Sequence, residues 1–168
     1  MFKTKIYVRL IDGAQPLRVI KKGDWIDLRA NNDFDYEGLT VENGKVNIPT
    51  CKIPVGIAMK LPAGLEAIMA SRSSTFKTYG VLPWNCIGVI DNSYNGTNDQ
   101  WLFGVLCMNK GHISKGDRIC QFRIQLSQKA TMWQRIKWLL SNGEIEFVYV
   151  DELSDTDRSG FGKGTGAK

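Results

Sequence analysis

The sequence predicts an all-β fold, a barrel or a sandwich, with one short helix set into it. Three observations predict this. Short strand-like segments recur at near-regular spacing with turn signals between them. Glycine is frequent at 17 residues, and β-branched and aromatic residues are common, a mix that favours strands and tight turns. The chain of 168 residues has the length of one domain and can bury a core without disulfides or metal. There is no internal repeat.

The elements follow in order. KIYVRLI (5–11) alternates polar and apolar residues, and WIDLRA (25–30) follows a Lys-Gly-Asp turn. KIPVGIAMKL (52–61) reaches the turn PAG, and LEAIMASR (65–72) follows directly, which predicts a hairpin. CIGVID (86–91), WLFGVLCMN (101–109), DRICQFRIQL (117–126) and EIEFVYVDE (144–152) complete the strands. Between 86–91 and 101–109 the pair Asn95-Gly96 predicts a second hairpin, with Asp91 and Tyr94 at its mouth. KATMWQRIKWLLSNG breaks the pattern: Met132, Ile136, Leu139 and Leu140 have helical spacing, and Ser141-Asn142-Gly143 is a helix stop. This predicts an inserted helix at about 130–141, with its apolar face covering the β core. Trp133 and Trp138 make it unusually aromatic, and the competing reading is a contact surface for a protein partner. The chain then divides into a β domain over 1–156 and a tail over 157–168.

The tail DRSGFGKGTGAK holds a lone Phe161 among four glycines, with Arg158 and Lys163 beside it. It cannot bury itself and is expected to be mobile in the free protein. The same composition suits a flap that closes on a nucleotide, with a ring to stack, glycines to approach phosphate and cations to meet its charge. Lys163 is followed by glycine and by no helix, which excludes a P-loop.

Several function classes are disfavoured. A net charge of +5 suits an anionic partner, but no Lys/Arg run forms a nucleic-acid arm, so no stable nucleic-acid binding is expected. Cys51, Cys86, Cys107 and Cys120 lack zinc-site spacing and read as buried, reduced thiols. His112 is the only histidine and sits in a polar turn, which disfavours serine-type catalysis and multi-histidine metal sites. No apolar run spans a bilayer and MFKTKIYVRL lacks a signal-peptide core, so a cytoplasmic protein of a bacterium or a phage-infected host is expected, with no membrane partner. Asn95-Gly96-Thr97 matches a glycosylation sequon, which without a secretion signal is chance.

Five segments carry the chemistry, in this order: GDWIDLRA, SRSS, NCIGVIDNSYNG, GDRICQ and RSGFGKGTG. Each is weak alone. Their order and spacing on an all-β background resemble the trimeric dUTPase family (dUTP diphosphatases), including its phage-encoded members, from about Gly23 to Gly166. The most specific piece is GVIDNSYNG, Gly88 to Gly96. The resemblance implies a jelly-roll-like β-barrel and a homotrimer with active sites between subunits, so an isolated subunit is expected to be inactive. It implies hydrolysis of dUTP to dUMP and pyrophosphate with Mg²⁺ on the triphosphate, keeping uracil out of DNA and supplying dUMP for thymidylate synthesis.

By position, the resemblance makes Asp91 the general base for the attacking water. Tyr94 lies against the deoxyribose and excludes a 2′-hydroxyl, and Asn85 bonds the uracil edge in a pocket too narrow for thymine. Ser73 donates to the triphosphate, with Arg72 and Ser74 beside it. Gln121 donates to a phosphate oxygen, and Arg118 supports the subunit interior. Asp27 faces magnesium through water, since that ion keeps several waters. Phe161 stacks on uracil and Arg158 clamps the terminal phosphate. The chain departs from the family pattern at Asp24 and Trp25, at Ser71 and Ser74, at Thr78 and in the tail spacing, where Lys163 or Thr165 could share the phosphate contact. The helix at 130–141 lies outside the common core.

Two alternatives explain less. A dCTP deaminase shares the fold but does not need the Asp-x-x-Tyr pair, and its acidic motif is not found. Single-stranded nucleic-acid binding fits the aromatics and the charge but not the five ordered segments.

Overall fold

The computed structural model describes residues 3–19 and 23–153. The chain is mostly β, in five small sheets. The first holds β1 (Thr4–Leu10) between the parallel strand β14 (Ile145–Tyr149) and the antiparallel strand β7 (Ile57–Lys60). The second runs β10 (Gly88–Asp91), β8 (Leu65–Ser71), β13 (Arg118–Leu126), β2 (Ile26–Arg29), all antiparallel. The third runs β6 (Thr50–Pro54), β11 (Leu102–Cys107), β9 (Val81–Pro83). Two ribbons complete the set: β3 (Phe34–Tyr36) with β12 (Gly111–Ile113), and β4 (Thr40–Glu42) with β5 (Lys45–Asn47). The layering is jelly-roll-like. Among the described residues no single ring of strand pairs closes it as a barrel.

Alternation explains how the sheets share one core. In β8, Leu65, Ala67 and Met69 are buried while their neighbours are partly exposed. β13 buries Cys120 and Phe122, and Ile119 as well, where a register shift between Arg118 and Cys120 breaks the alternation. Trp101 meets Phe122 edge-on at 5.2 Å at the centre of the cluster, a favoured aromatic geometry.

Both predicted hairpins fail, for different reasons. The segment 52–61 is not one strand. At Gly56 the chain takes φ +70°, and a Cβ there would stand 2.4 Å from that of Ala14. Only glycine fits this corner, which sends β6 and β7 into different sheets. The PAG turn does form, with Leu65 N–H donating to Pro62 O at 3.1 Å, but β7 leaves for β1 and β8 for β10 and β13. At Asn95-Gly96 neither residue has the positive φ of a two-residue hairpin turn. β10 pairs with β8 and β11 with β6 and β9, so GVIDNSYNG is a strand followed by a loop.

The predicted helix exists as α2 (Met132–Leu140). Thr131 caps it, and Gln134 bonds back to the Thr131 backbone in a capping box. It does not cover the core with its apolar face. Gln134, Ile136 and Trp138 are its half-buried residues, and Gln134 and Trp138 line a small pocket with Pro62, Ala63 and Leu65. Met132, Trp133, Leu139 and Leu140 point outward, Trp133 with 74% of its surface exposed. A second helix, α1 (Thr75–Tyr79), was not visible as a pattern. The thiols are also mixed: Cys107 and Cys120 are buried, but Cys86 is exposed.

Candidate active site

Strand register assembles a polar cluster at one end of the four-stranded sheet. Gln121 on β13 stands opposite Asp27 on β2 and opposite Ala70 on β8. β8 then delivers the chain into Arg72, Ser73 and Ser74. Asp27 Oδ1 accepts from Arg72 Nε at 2.8 Å, and Oδ2 accepts from Arg118 Nη1 at 3.1 Å. With its side chain 19% exposed, Asp27 needs such charge-assisted partners. Arg118 was expected to support the interior. Its side chain is instead 50% exposed, on the outer side of this pair. Gln121 Nε2 donates to Ser71 O at 3.1 Å.

The turn that carries Ser73 and Ser74 is held from below. Thr75 is buried; its hydroxyl donates to Ile119 O at 2.8 Å and accepts from Arg72 N–H at 3.0 Å. Ser73 and Ser74 are left exposed above it. Beside the cluster a cavity of 390 Å³ is lined by Asp27, Arg29, Arg118, Lys115 and Arg18. One carboxylate against four cations leaves this end suited to anions.

Asp91 and Tyr94 lie elsewhere, at the opposite end of β10 from the turn that carries Asn85. Asp91 ends β10 and is exposed; its Oδ1 accepts from Ser93 N–H at 2.8 Å and from the Ser93 hydroxyl. Tyr94 N–H donates to Asp91 O at 3.2 Å, which closes a tight turn between the two. The Tyr94 ring belongs to the core cluster and its hydroxyl donates to Gln100 O at 3.0 Å. Buried Asp99 accepts from Gly96 N–H at 2.9 Å. Asn85 is exposed, one residue after Trp84. Trp84 packs directly against Gly104 of β11, where a Cβ would stand 2.1 Å from the ring, so the absence of a side chain at Gly104 makes room for the turn carrying Asn85.

Sequence reasoning brought out Asp91, Tyr94, Asn85, Ser73, Ser74, Arg72, Gln121 and Asp27, but not Thr75, Asp99, Trp84 or Gly104. A buried Thr or Asp is marked by no short-range pattern. The two groups of candidates are not brought together within one chain. Asp91 stands opposite Glu66, while Gln121 stands opposite Ala70 and the Ser73 turn follows Ser71. Along β8 that separates Asp91 from the Ser71 end by about 17 Å. Arg158 and Phe161 lie outside the described residues. His112 meets Asp35 at 2.8 Å on an exposed ribbon, with none of the five segments nearby in register.

Burial tunes several protons in the structure. It raises the Tyr36 hydroxyl from 10.0 to about 12, with lesser contributions from Cys107 and Cys51. It also raises the Cys120 thiol well above its usual range, so Cys120 is inert beside Gln121. No group of three or more His, Cys, Asp or Glu that could hold a metal occurs among the described residues.

The dUTPase family model matches residues 39–137. The chain belongs to the dUTPase family. It is 38% identical over 165 residues to the SPbeta prophage-derived deoxyuridine 5′-triphosphate nucleotidohydrolase YosS of Bacillus subtilis (strain 168), covering 98% of this chain and 99% of that one. A deoxyuridine 5′-triphosphate nucleotidohydrolase of Finegoldia magna is 33% identical over 139 residues, covering 82% and 81%. Solved dUTPases share the fold. The Streptococcus mutans enzyme aligns with TM-score 0.59 at 18% identity, covering 71% of this chain and 94% of its own. A mutant dUTPase of phage phi11 of S. aureus, described with a structural Mg(II) ion, aligns with TM-score 0.60 at 16% identity, covering 76% and 94%. In this dUTPase-family chain, no helix among the described residues is long and apolar enough to cross a membrane.

Proposed function

We propose that this chain hydrolyses dUTP to dUMP and pyrophosphate as a homotrimer, with each active site built from more than one subunit. The observation that carries the proposal is the division of the candidate residues between two ends of β8, about 17 Å apart in one chain. A general base must stand within hydrogen-bond reach of the water it activates. Asp91 and the Ser73–Gln121 cluster of one chain cannot both reach the same phosphorus. Juxtaposing copies head to tail resolves this, and three such copies close a ring.

Each residue then has a task. Asp91 orients a water and takes its proton as the water attacks the α-phosphorus; the bond to the αβ-bridging oxygen breaks and pyrophosphate leaves. Ser93, on Asp91 Oδ1, sets the direction of that carboxylate. Tyr94, held flat by the core and by Gln100, leaves no room for a 2′-hydroxyl. Asn85 bonds the uracil edge. Ser73, Ser74, Gln121 and Arg72 donate to phosphate oxygens, where pre-placed donors stabilise the charge of the transition state. Asp27 holds Arg72 and Arg118 at fixed angles, and its carboxylate has further lone pairs for water. Mg²⁺ bound to the triphosphate would be faced by Asp27 through water and would neutralise part of the phosphate charge. The segment 157–168 acts as a flap, Phe161 stacking on uracil and Arg158 meeting the terminal phosphate. The cellular role is to keep uracil out of DNA and to supply dUMP for thymidylate synthesis in the cytoplasm.

The test is incubation of the purified chain with Mg²⁺ and each of dUTP, UTP, dCTP and dTTP. Release of dUMP and pyrophosphate from dUTP alone supports the proposal. Deamination of dCTP would replace it with the deaminase reading. A second role rests on α2: its outward Met132, Trp133, Leu139 and Leu140 make an apolar face suited to a protein partner. Partner binding that survives deletion of 130–141 would remove that role.

A further inference from the structure

The turn that carries Asn85 is held between two sheets. Its near end is Trp84. The Trp84 N–H donates to Gly104 O at 3.2 Å, and the ring packs on the same glycine, where a Cβ would stand 2.1 Å from it. Gly104 does not take a positive φ, so glycine stands there for space and not for backbone conformation. Lys52, opposite Gly104 on β6, brings its ammonium to 6.0 Å from the centre of the Trp84 ring, within cation–π range. The far end is Gly88, which pairs with Met69 on β8. Between them the chain reverses in three exposed residues. Ile87 N–H donates to Asn85 O at 2.5 Å, and Cys86 at the centre takes φ +55°, the rare and strained form of such a turn. A strained turn persists only where its surroundings hold it, and here Trp84 is the contact that holds.

We infer that Trp84 and Gly104 are positioning residues that keep the Asn85–Ile87 turn rigid, and that this rigidity sets the choice of uracil over cytosine. The inference rests on the proposed placing of uracil at Asn85 for its functional consequence, though not for the seating itself. The two bases differ by one exchange. Uracil offers an acceptor at O4 and a donor at N3–H, whereas cytosine offers a donor at N4 and an acceptor at N3. An Asn carboxamide carries both a donor and an acceptor and can turn over to match either base. Asn85 alone therefore cannot choose. The backbone N–H and C=O groups of the turn cannot exchange roles, so they can choose, provided that the turn does not move. A loose turn re-aims those groups, and it also costs more to order when the base binds.

The experiment uses the full chain and four variants: Trp84→Ala, Trp84→Phe, Gly104→Ala, and Gly104→Ala combined with Trp84→Ala. Hydrogen exchange at the Ile87 amide reports the turn with no ligand present. It should quicken in Trp84→Ala and stay nearer the parent rate in Trp84→Phe; unchanged exchange in Trp84→Ala overturns the seating. Equilibrium titration with dUMP, and with dCMP as its competitor, reports the choice of base. Trp84→Ala should weaken dUMP about three- to ten-fold and dCMP by less than about two-fold, so that the two affinities draw together. Equal losses for both bases overturn the choice, because a merely structural change does not tell them apart. In steady-state hydrolysis of dUTP, KM should rise by the same factor as the dUMP affinity falls, and a fall in kcat at unchanged KM also overturns the role. Gly104→Ala should act like Trp84→Ala, since its methyl displaces the ring, and should add little once the ring is gone. Equal effects of Gly104→Ala in both backgrounds overturn the seating. If Gly104→Ala does not fold, Trp84→Ala, which leaves β11 untouched, carries the test alone. A parent chain that binds no dUMP overturns the proposed function instead, and exchange at Ile87 still judges the seating.

Discussion

The loop from Asp91 to Trp101 and the helix α2 are both well-formed locally, yet they end in opposite situations. The loop has no repeating pattern, but it turns inward. Tyr94, Gly96, Asp99 and Trp101 are buried, and its backbone is held by Asp99, by the Tyr94 hydroxyl and by Arg9 from β1. α2 has a strong pattern and a complete capping box, but it buries none of its residues. Local hydrogen bonding decides that a segment has a shape. It does not decide whether the core needs that segment. The loop is part of what the core is made of, whereas α2 is attached to the outside by Gln134 and Trp138.

This contrast can be broken or sharpened by mutation. The largest effect is expected at Asp91→Asn, which should lower kcat by about 10²–10⁴-fold while leaving the melting temperature near that of the parent. Survival of full turnover would remove Asp91 from its role. Next is Asp99→Ala, which leaves the Gly96 N–H without this partner in a buried place. A loss of about 1–3 kcal/mol in chemical denaturation is expected, and a neutral result would show that the loop is not anchored there. The shared core gives a pH control. Tyr36 is raised to about 12 from 10.0, and burial, followed by Cys51, raises Cys107 from 9.0, so the folded state keeps these protons longer than the unfolded chain. Their stabilising effect is whole below pH 9.0 and is lost as the pH climbs toward 12. Urea midpoints measured from pH 8 upward should therefore decline, less steeply in Tyr36→Phe, where Cys107 alone of the two remains; an unchanged slope in that variant would show that the hydroxyl contributes nothing. The smallest effect is expected at Trp133→Ser, under about 0.5 kcal/mol, because the ring is already in solvent. A large loss there would mean that α2 is part of the core after all.

What could be read from the sequence follows the same division. Alternation located β1, and apolar, β-branched-rich runs located β8, β11 and β13, because each is long enough to stand out between turn signals. The three-residue strands β3, β4, β5, β9 and β12 are too short to have a period. Pairing was not legible at all. PAG is a true turn and Asn95-Gly96 is not the two-residue turn its sequence predicts, and which strand becomes a neighbour depends on corners such as Gly56 and on the whole core. At the site, ordered segments revealed Asp91, Tyr94 and Gln121. The residues that hold them, Thr75 beneath Ser73 and Gly104 beneath Trp84, speak only through distant contacts.

The parallel pairing of β1 with β14 has a consequence for how the protein is made. Thr4 lies beside Ile145, so strands separated by roughly 140 residues must meet. During synthesis β1 precedes both partners and can take β7 on one side, but its other edge stays open until β14 has been made. An open strand edge is a template for other chains. A ribosome that stalls before Tyr149 thus yields a product with a sticky first strand. β14 is what covers that edge, so the backbone groups of β1 on this side are satisfied only once Ile145–Tyr149 is in place.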